Sequence, residues 1–305
     1  MKVAVTGATG FVGTALLNRF RSSGIQSRCW TRGSFPNDSS KGGDIEWLSG
    51  QLADKESMNN LVVGCDAVVH AGLARSGRSF QATEADVVEY ARVNILGTLE
   101  LIEAARDAGV KRFVFVSTCA VHDHILSDRP LDEAHPLWAN THYGAQKAAI
   151  EKFVHSYGLG SGFPICAIRP TGIYGLAEPL ENSKWFKLIE DVVRGADVHV
   201  KGGGKEVHVD DVARAIELLL GSEGIEGQSY SCCDRYISEF DVAKVAKQIA
   251  NSTSSINGDQ KRPKHEIDVT KIKSLGMKFG GADRLYETVE SLVKQIRSRQ
   301  SYCEI

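Results

Sequence analysis

Near its start the chain reads Val3-Ala4-Val5-Thr6-Gly7-Ala8-Thr9-Gly10-Phe11-Val12-Gly13, a short apolar strand, a glycine loop and the first turn of a helix in one piece. Gly7 permits a tight turn, Gly10 lets a ligand come close to the backbone, and Gly13 lets the helix pack against the strand. A helix opening in this way points unpaired N–H groups and the positive end of its dipole at the loop, which suits a pyrophosphate. Three glycines alone are a weak signal; their place between a first strand and a first helix gives them meaning.

The pattern then repeats. Apolar runs at 2–6, 26–31, 45–49, 66–70, 112–117 and 164–169 alternate with amphipathic stretches at 11–23, 54–63, 84–108 and 141–157. Continuous Val/Ala/Ile strands separated by helices predict a parallel sheet covered on both faces, a doubly wound α/β fold of the Rossmann type. Beyond Arg169 the rhythm changes. Gly172, Gly175, Pro179 and Gly202-Gly203-Gly204 predict loops, and the patterning predicts helices over 182–194, 210–220, 238–250 and 283–298 and a strand over 229–232. Asn251 to Lys264 is the most loop-like stretch. The expected division is a dinucleotide-binding domain over 1–172, to which the chain returns at about 206–233, and a smaller substrate-binding lobe from 173–205 and 234–305.

Composition narrows the partners. With 42% hydrophobic and 24% charged residues, the 305-residue chain lies in the globular range. A formal net charge of −2 gives no general attraction to nucleic acid or anionic membrane, so phosphate recognition must be local. No apolar run approaches the ~18 residues needed to span a bilayer, and the first residues do not form a signal-peptide core. A cytoplasmic location is expected. The seven cysteines, Cys29, Cys65, Cys119, Cys166, Cys232, Cys233 and Cys303, show neither zinc-ligand nor redox spacing and read as reduced thiols, with no metal.

Two places bear on chemistry. At the end of the second strand an acid would accept the ribose hydroxyls of NAD, but this chain has Thr31 followed by Arg32, whose planar fork suits a 2′-phosphate. That favours NADP over NAD. Farther on, Tyr143-Gly144-Ala145-Gln146-Lys147 sets a phenol and an ammonium on one helical face. An adjacent cation favours the phenolate, so the tyrosine can exchange a proton near neutral pH. The fifth strand ends in Ser117-Thr118, where a hydroxyl can hydrogen-bond a substrate oxygen beside that phenol.

Together these motifs resemble the extended short-chain dehydrogenase/reductases, the NAD-dependent epimerase/dehydratase group, along nearly the whole chain. The TGxxGxxG loop at Thr6 to Gly13, Asp66 to Gly72, Asn94 to Thr98, Ser117 to Val121, Tyr143 to Lys147, Arg169 to Gly175 and His208 to Ala213 carry the likeness. The resemblance implies Thr118, Tyr143 and Lys147 as catalytic residues. It implies cofactor contacts at Gly7, Gly10, Phe11, Val12 and Gly13 in the loop, and at Thr31, Arg32, Gln51 and Leu52 toward the adenosine. Toward the nicotinamide it implies Ala71, Gly72, Tyr143, Lys147, Pro170 and Ile173. Helices near 95–107 and 143–157 would pair in a homodimer.

The implied substrate is a sugar or nucleotide sugar, although this chain departs from the nucleotide-sugar pattern. Gly172 and Gly204 stand where an Asn and an Arg commonly hold a diphosphate, and Gln51-Leu52 replaces an acid that meets adenine. Lys201 or Lys205 is a candidate to replace the lost charge. Epimerisation, dehydration and reduction all remain open, as does reduction of a non-sugar ketone with NADPH. A catalytically silent cofactor sensor is the reading of another class, opposed by the presence of both Tyr143 and Lys147. His122 and His142 are expected to serve packing or solvent, Asp210 and Asp211 to cap helix N–H groups, and Trp138 and Trp185 to line a pocket or the core.

Overall fold

The computed structural model describes residues 1–33, 35, 43–74 and 86–303. They form two compact units, one of Met1–Pro170, Val212–Cys232 and Ile267–Met277, the other of Thr171–Asp211, Cys233–Glu266 and Lys278–Ile305. The expected division gave all of 234–305 to the second lobe, but 267–277 packs in the first unit. There Ile267 bridges to Leu131, the amide of Asp268 donates to the Leu131 carbonyl at 2.9 Å, and Lys271 bonds Gln228 at 2.8 Å.

The first unit is built on seven parallel strands: β1 (Lys2–Thr6), β2 (Gln26–Thr31), β3 (Ile45–Ser49), β4 (Ala67–His70), β5 (Arg112–Val116), β6 (Ile165–Pro170) and β10 (Gln228–Cys232). They lie in the order β10-β6-β5-β4-β1-β2-β3. The helices between them are α1 (Phe11–Ser22), α2 (Lys55–Val62), α3 (Val87–Ala91), α4 (Gly97–Asp107) and α5 (His142–His155). Leu61, Leu101, Ile102, Ile150 and Val154 bury their side chains against Val68, Phe113, Phe115 and Ile165 of the sheet. This is why the strands read as apolar throughout: β1, β4, β5 and β6 have helices over them and almost no exposed position.

The helix expected over 84–108 runs from Val87, residues 84 and 85 lying outside those described, and carries a π-helical turn at Arg92–Leu96. Patterning on a 3.6-residue period does not register such a widened turn.

The second unit contains a three-stranded sheet of β7 (Gly172–Tyr174), β9 (Gly203–His208) and β11 (Arg235–Ser238). It also contains α6 (Phe186–Val193), β8 (Val198–His199), α8 (Glu239–Ala250), β12 (Ile256–Asn257) and α10 (Gly281–Cys303). Ile189, Val192, Val242, Ala246, Val289 and Leu292 of α6, α8 and α10 share one core. Most of helix α7 (Val209–Gly221) belongs to the first unit, as does α9 (Thr270–Ser274).

The loop expected at Gly202-Gly203-Gly204 is corrected, for Gly203 and Gly204 begin β9. Neither serves a turn. A side-chain carbon at Gly203 would lie 2.5 Å from the Tyr236 hydroxyl oxygen on β11, and one at Gly204 2.5 Å from the Glu206 carboxylate. The helix expected over 182–194 is shortened to α6, because Trp185 takes a positive φ of 64° just before it.

Candidate functional site

Gly7 has φ 72°, and a side-chain carbon there would lie 2.7 Å from the Ala71 carbonyl group. At Gly13 the added carbon would collide with the Gly7 carbonyl oxygen. Gly10 differs: its added carbon would meet only that same oxygen, at 3.2 Å. Packing therefore demands glycine at 7 and 13 but hardly at 10, where open space remains above the loop. Helix α1 has no capping side chain and no acid in its first turn, so the amides of Phe11, Val12 and Gly13 keep their affinity for an anion. The cradle fits a dinucleotide pyrophosphate.

A hydrogen-bond chain that sequence reading missed steadies this loop. The Gly72 amide donates to Thr6 Oγ1 at 3.0 Å, which lies 2.6 Å from His70 Nδ1; His70 Nε2 lies 2.9 Å from Thr98 Oγ1, whose hydroxyl donates to the Asn94 carbonyl. Because the Thr98 proton is committed to Asn94, His70 donates from Nε2 and accepts at Nδ1 from Thr6. Burial, with the Lys147 charge adding to it, pushes the His70 pKa down to about 3, so the ring is neutral, as these bonds require. Asn94, in the π-helical turn, grips Ala74 through both its amide atoms at 2.8 and 2.9 Å and so fixes the segment containing Ala71 and Gly72. The signal available in the sequence was a histidine ending an otherwise apolar strand.

Helix α5 begins at a Thr141 cap that accepts from the Gly144 amide at 3.1 Å. Gly144 lets the helix come close to the segment after β5: a side-chain carbon there would lie 2.6 Å from the Ala120 carbonyl oxygen and 2.7 Å from Ala139 Cβ. Tyr143 is half-buried. Lys147 is buried, donates from Nζ to the Val116 carbonyl at 2.7 Å, and lies 4.5 Å over the Phe115 ring. Burial pushes its pKa down to about 7, with Glu151 acting in the opposite direction. Thr118 follows β5, half-buried, its hydroxyl oxygen accepting from the Ala120 amide at 3.1 Å. Thus α5 and the 116–120 segment bring Thr118, Lys147 and the base of Tyr143 into one neighbourhood.

Beneath that helix lies a buried ion pair, also missed from sequence. Arg169 is 1% exposed and Glu151 wholly buried, with 2.6 Å between Nη2 and Oε2. Glu151 also accepts from the Ser117 hydroxyl and, at 2.9 Å, from Ser229. Burial pushes the Glu151 pKa up, but Arg169 and the two hydroxyls outweigh it and hold the carboxyl below its usual range. Arg169 Nη1 reaches His122 Nε2 at 3.2 Å and the Glu133 carbonyl at 3.2 Å. A guanidinium only donates, so His122 accepts at Nε2 and donates from Nδ1 to the Pro136 carbonyl. Burial and Arg169 push the His122 pKa down to about 4, and its role is structural.

The remaining candidates are scattered. Thr31 is buried and its hydroxyl oxygen accepts from the Gly33 amide at 3.2 Å, while Arg32 is exposed. Gln51 is exposed, Leu52 packs on the core, and Pro170 is buried at the end of β6. Ile173 lies on β7 in the second unit. His142 is exposed, as is Trp138, while the Trp185 ring lies tilted against that of Tyr174, with 5.3 Å between centroids. Asp210 and Asp211 stand in the first turn of α7. His208 Nδ1 accepts from the Asp210 amide at 3.1 Å, and Asp211 accepts at 2.9 Å from the backbone amide of Gly280, just before α10.

In the second unit, the space beside Gly172 and Gly204 holds the Glu206 carboxylate. Side-chain carbons at either glycine would lie 2.5 Å from it. Glu206 is buried and pairs with Lys184 at 2.6 Å; burial pushes its pKa up while Lys184 opposes the rise.

Residues 3–233 match the NAD dependent epimerase/dehydratase family, and the chain belongs to that family. It is an NAD(P)-dependent enzyme of the epimerase/dehydratase type. A ketoreductase of Stigmatella aurantiaca that acts on 4-hydroxy-2-methyl-3-oxo-4-farnesyl-3,4-dihydroquinoline-1-oxide is 32% identical, over 77% of this chain and 68% of its own length. A dTDP-glucose 4,6-dehydratase of Streptomyces niveus is 28% identical over 95% of this chain and 92% of its own. Among solved structures, the UDP-glucose 4-epimerase of Thermotoga maritima with UDP-glucose superposes with a TM-score of 0.78 at 22% identity, covering 98% of this chain and 100% of that one. The UDP-glucose 4-epimerase of Thermus thermophilus, in complex with NAD, gives 0.76 at 23%, covering 97% and 99%.

Proposed function

We propose that this enzyme moves a hydride at an alcohol or ketone carbon of a sugar or nucleotide sugar, with Tyr143 as the proton-transfer group. The observation that carries the reading is the buried Lys147 ammonium, fixed on the Val116 carbonyl one helical turn from Tyr143. Tyr143 takes the proton of the substrate hydroxyl, the Lys147 charge stabilises the phenolate, and the Thr118 hydroxyl bonds the substrate oxygen. The nicotinamide, when bound, supplies the hydride acceptor. Gly7, Gly10, Phe11, Val12 and Gly13 hold its pyrophosphate, with Ala71, Gly72, Pro170 and Ile173 contacting the nicotinamide half and Gln51 and Leu52 the adenine.

We assign NADP as the preferred cofactor, on Thr31 in place of an acid and the exposed Arg32 after it. We assign substrate binding to the second unit and a homodimeric state to helices 95–107 and 143–157, which expose Leu96 and Phe153. Cys29, Cys65, Cys119, Cys166, Cys232 and Cys233 stand as free thiols, which suits the cytoplasm.

The test is turnover on a panel of UDP- and dTDP-sugars and free sugars with NADP or NAD, followed by mass spectrometry. Tyr143→Phe should lower turnover by at least the ~10²-fold typical of a lost general acid/base, with dinucleotide affinity unchanged. Near-normal turnover in that variant removes Tyr143 from the role. A second reading, one-way reduction of a non-sugar ketone, is favoured by the Glu206 carboxylate beside Gly172 and Gly204, which would repel a diphosphate. Turnover of ketones with NADPH but of no sugar in the panel would select it.

A further inference from the structure

We infer that Glu151 is a positioning residue of the proton-transfer site: its carboxylate ties α5 to the segment just past β5, to β6 and to β10, and sets a buried negative charge one helical turn from Lys147. The inference rests on the role given to Tyr143 and Lys147 above. Its geometry is independent of that role.

Tyr143, Lys147 and Glu151 follow one another at four-residue spacing and share one face of α5. The two oxygens of the Glu151 carboxylate between them accept from Ser117 just past β5, Arg169 on β6 and Ser229 on β10. Ser117 is adjacent both to Val116, whose carbonyl holds Lys147, and to Thr118. A shift of the carboxylate would therefore move the helix carrying Tyr143 and Lys147 relative to the strand end carrying Thr118.

The charges around Lys147 point the same way. On its own helix stand Tyr143 and Glu151. From β5 come the Phe115 ring and the Val116 carbonyl, and from β4 the neutral His70. Beyond Glu151, Arg169 is met by the neutral His122 and the Glu133 carbonyl. Among the described carboxylates, Glu151, one helical turn along α5, is the one that acts on Lys147, and it opposes the effect of burial. Removing it should make the ammonium give up its proton at lower pH.

The test needs no substrate. In full-length protein labelled with ¹³Cε-lysine, the Lys147 resonance, assigned by its absence in Lys147→Arg, is titrated by NMR alongside thermal stability and NADP affinity. The wild-type midpoint should lie near 7. In Glu151→Gln it should fall by about one unit or more, the lower end of the effect of a nearby opposite charge. Glu151→Asp should restore most of the difference. Should the unpaired Arg169 charge keep Glu151→Gln from folding, Glu151→Gln/Arg169→Met removes both charges, and the midpoint should still fall.

An unchanged midpoint in a folded variant overturns the inference, even if stability is lost, because that would be a merely structural residue. Failure of the catalytic reading looks different: Tyr143→Phe keeps its turnover while the Lys147 titration still answers to position 151.

Discussion

Gly10 and Gly13 look alike in sequence and do different work. An added methyl at Gly13 collides with the backbone of the turn, whereas at Gly10 it meets one oxygen at 3.2 Å. We expect Gly13→Ala to lose about 1–3 kcal/mol of stability through overpacking, read as a lower thermal midpoint. Gly10→Ala should keep its midpoint within a few degrees and lose dinucleotide affinity instead, measured by tryptophan fluorescence. Equal affinity for wild type and Gly10→Ala would show that nothing approaches the loop there. Arg32 poses the cofactor question at the same scale. A charge-assisted bond contributes about 1.5–3 kcal/mol, so NADP should bind roughly ten- to a hundredfold more tightly than NAD. Arg32→Ala should erase most of that gap in calorimetry. Tighter NAD binding in the wild type would leave Arg32 without the role.

Helix α5 is held by contacts at both ends of its working face: Gly144 against Ala120 and Ala139, and Glu151 against Arg169. Gly144→Ala would drive a methyl into a backbone oxygen at 2.6 Å and lift the first turn, where Tyr143 sits. Turnover should fall at least tenfold while dinucleotide affinity, which we propose rests chiefly on the glycine loop before α1 and on the region of Arg32, changes less than about threefold; a parallel loss of both would point to general unfolding. The strands and helices of the first unit were legible because burial on both faces writes itself as unbroken apolar runs. The β7-β9-β11 sheet was not. Its strand β9 spells Gly-Gly-Lys-Glu-Val-His, with glycines chosen for the bulk of Tyr236 and Glu206 and an acid turned inward, so no alternation of apolar and polar residues marks it.

For the whole molecule, the legible part of the candidate site was that built from local spacing: the glycine loop on one turn and the Tyr143/Lys147 pair on another. What escaped was built from distance in sequence. Thr6, His70 and Thr98 come from three elements, and Ser117, Glu151, Arg169 and Ser229 from four, and only the sheet order brings them together. Polar residues buried in such company do carry one faint mark, an ionisable side chain at a position whose neighbours are apolar, as with Glu151 after Ala148-Ala149-Ile150 and Arg169 after Cys166-Ala167-Ile168.

Lys147 is anchored by a carbonyl that every amino acid carries. Its address is written in the main chain, so the side chains of β5 can drift through mutation without displacing the cation, provided the strand stays paired with β4 and β6. A designer who wished to alter the surroundings of the ammonium could rewrite Phe115 and leave its mooring in place, a freedom that a lysine held by an aspartate or a serine would not grant.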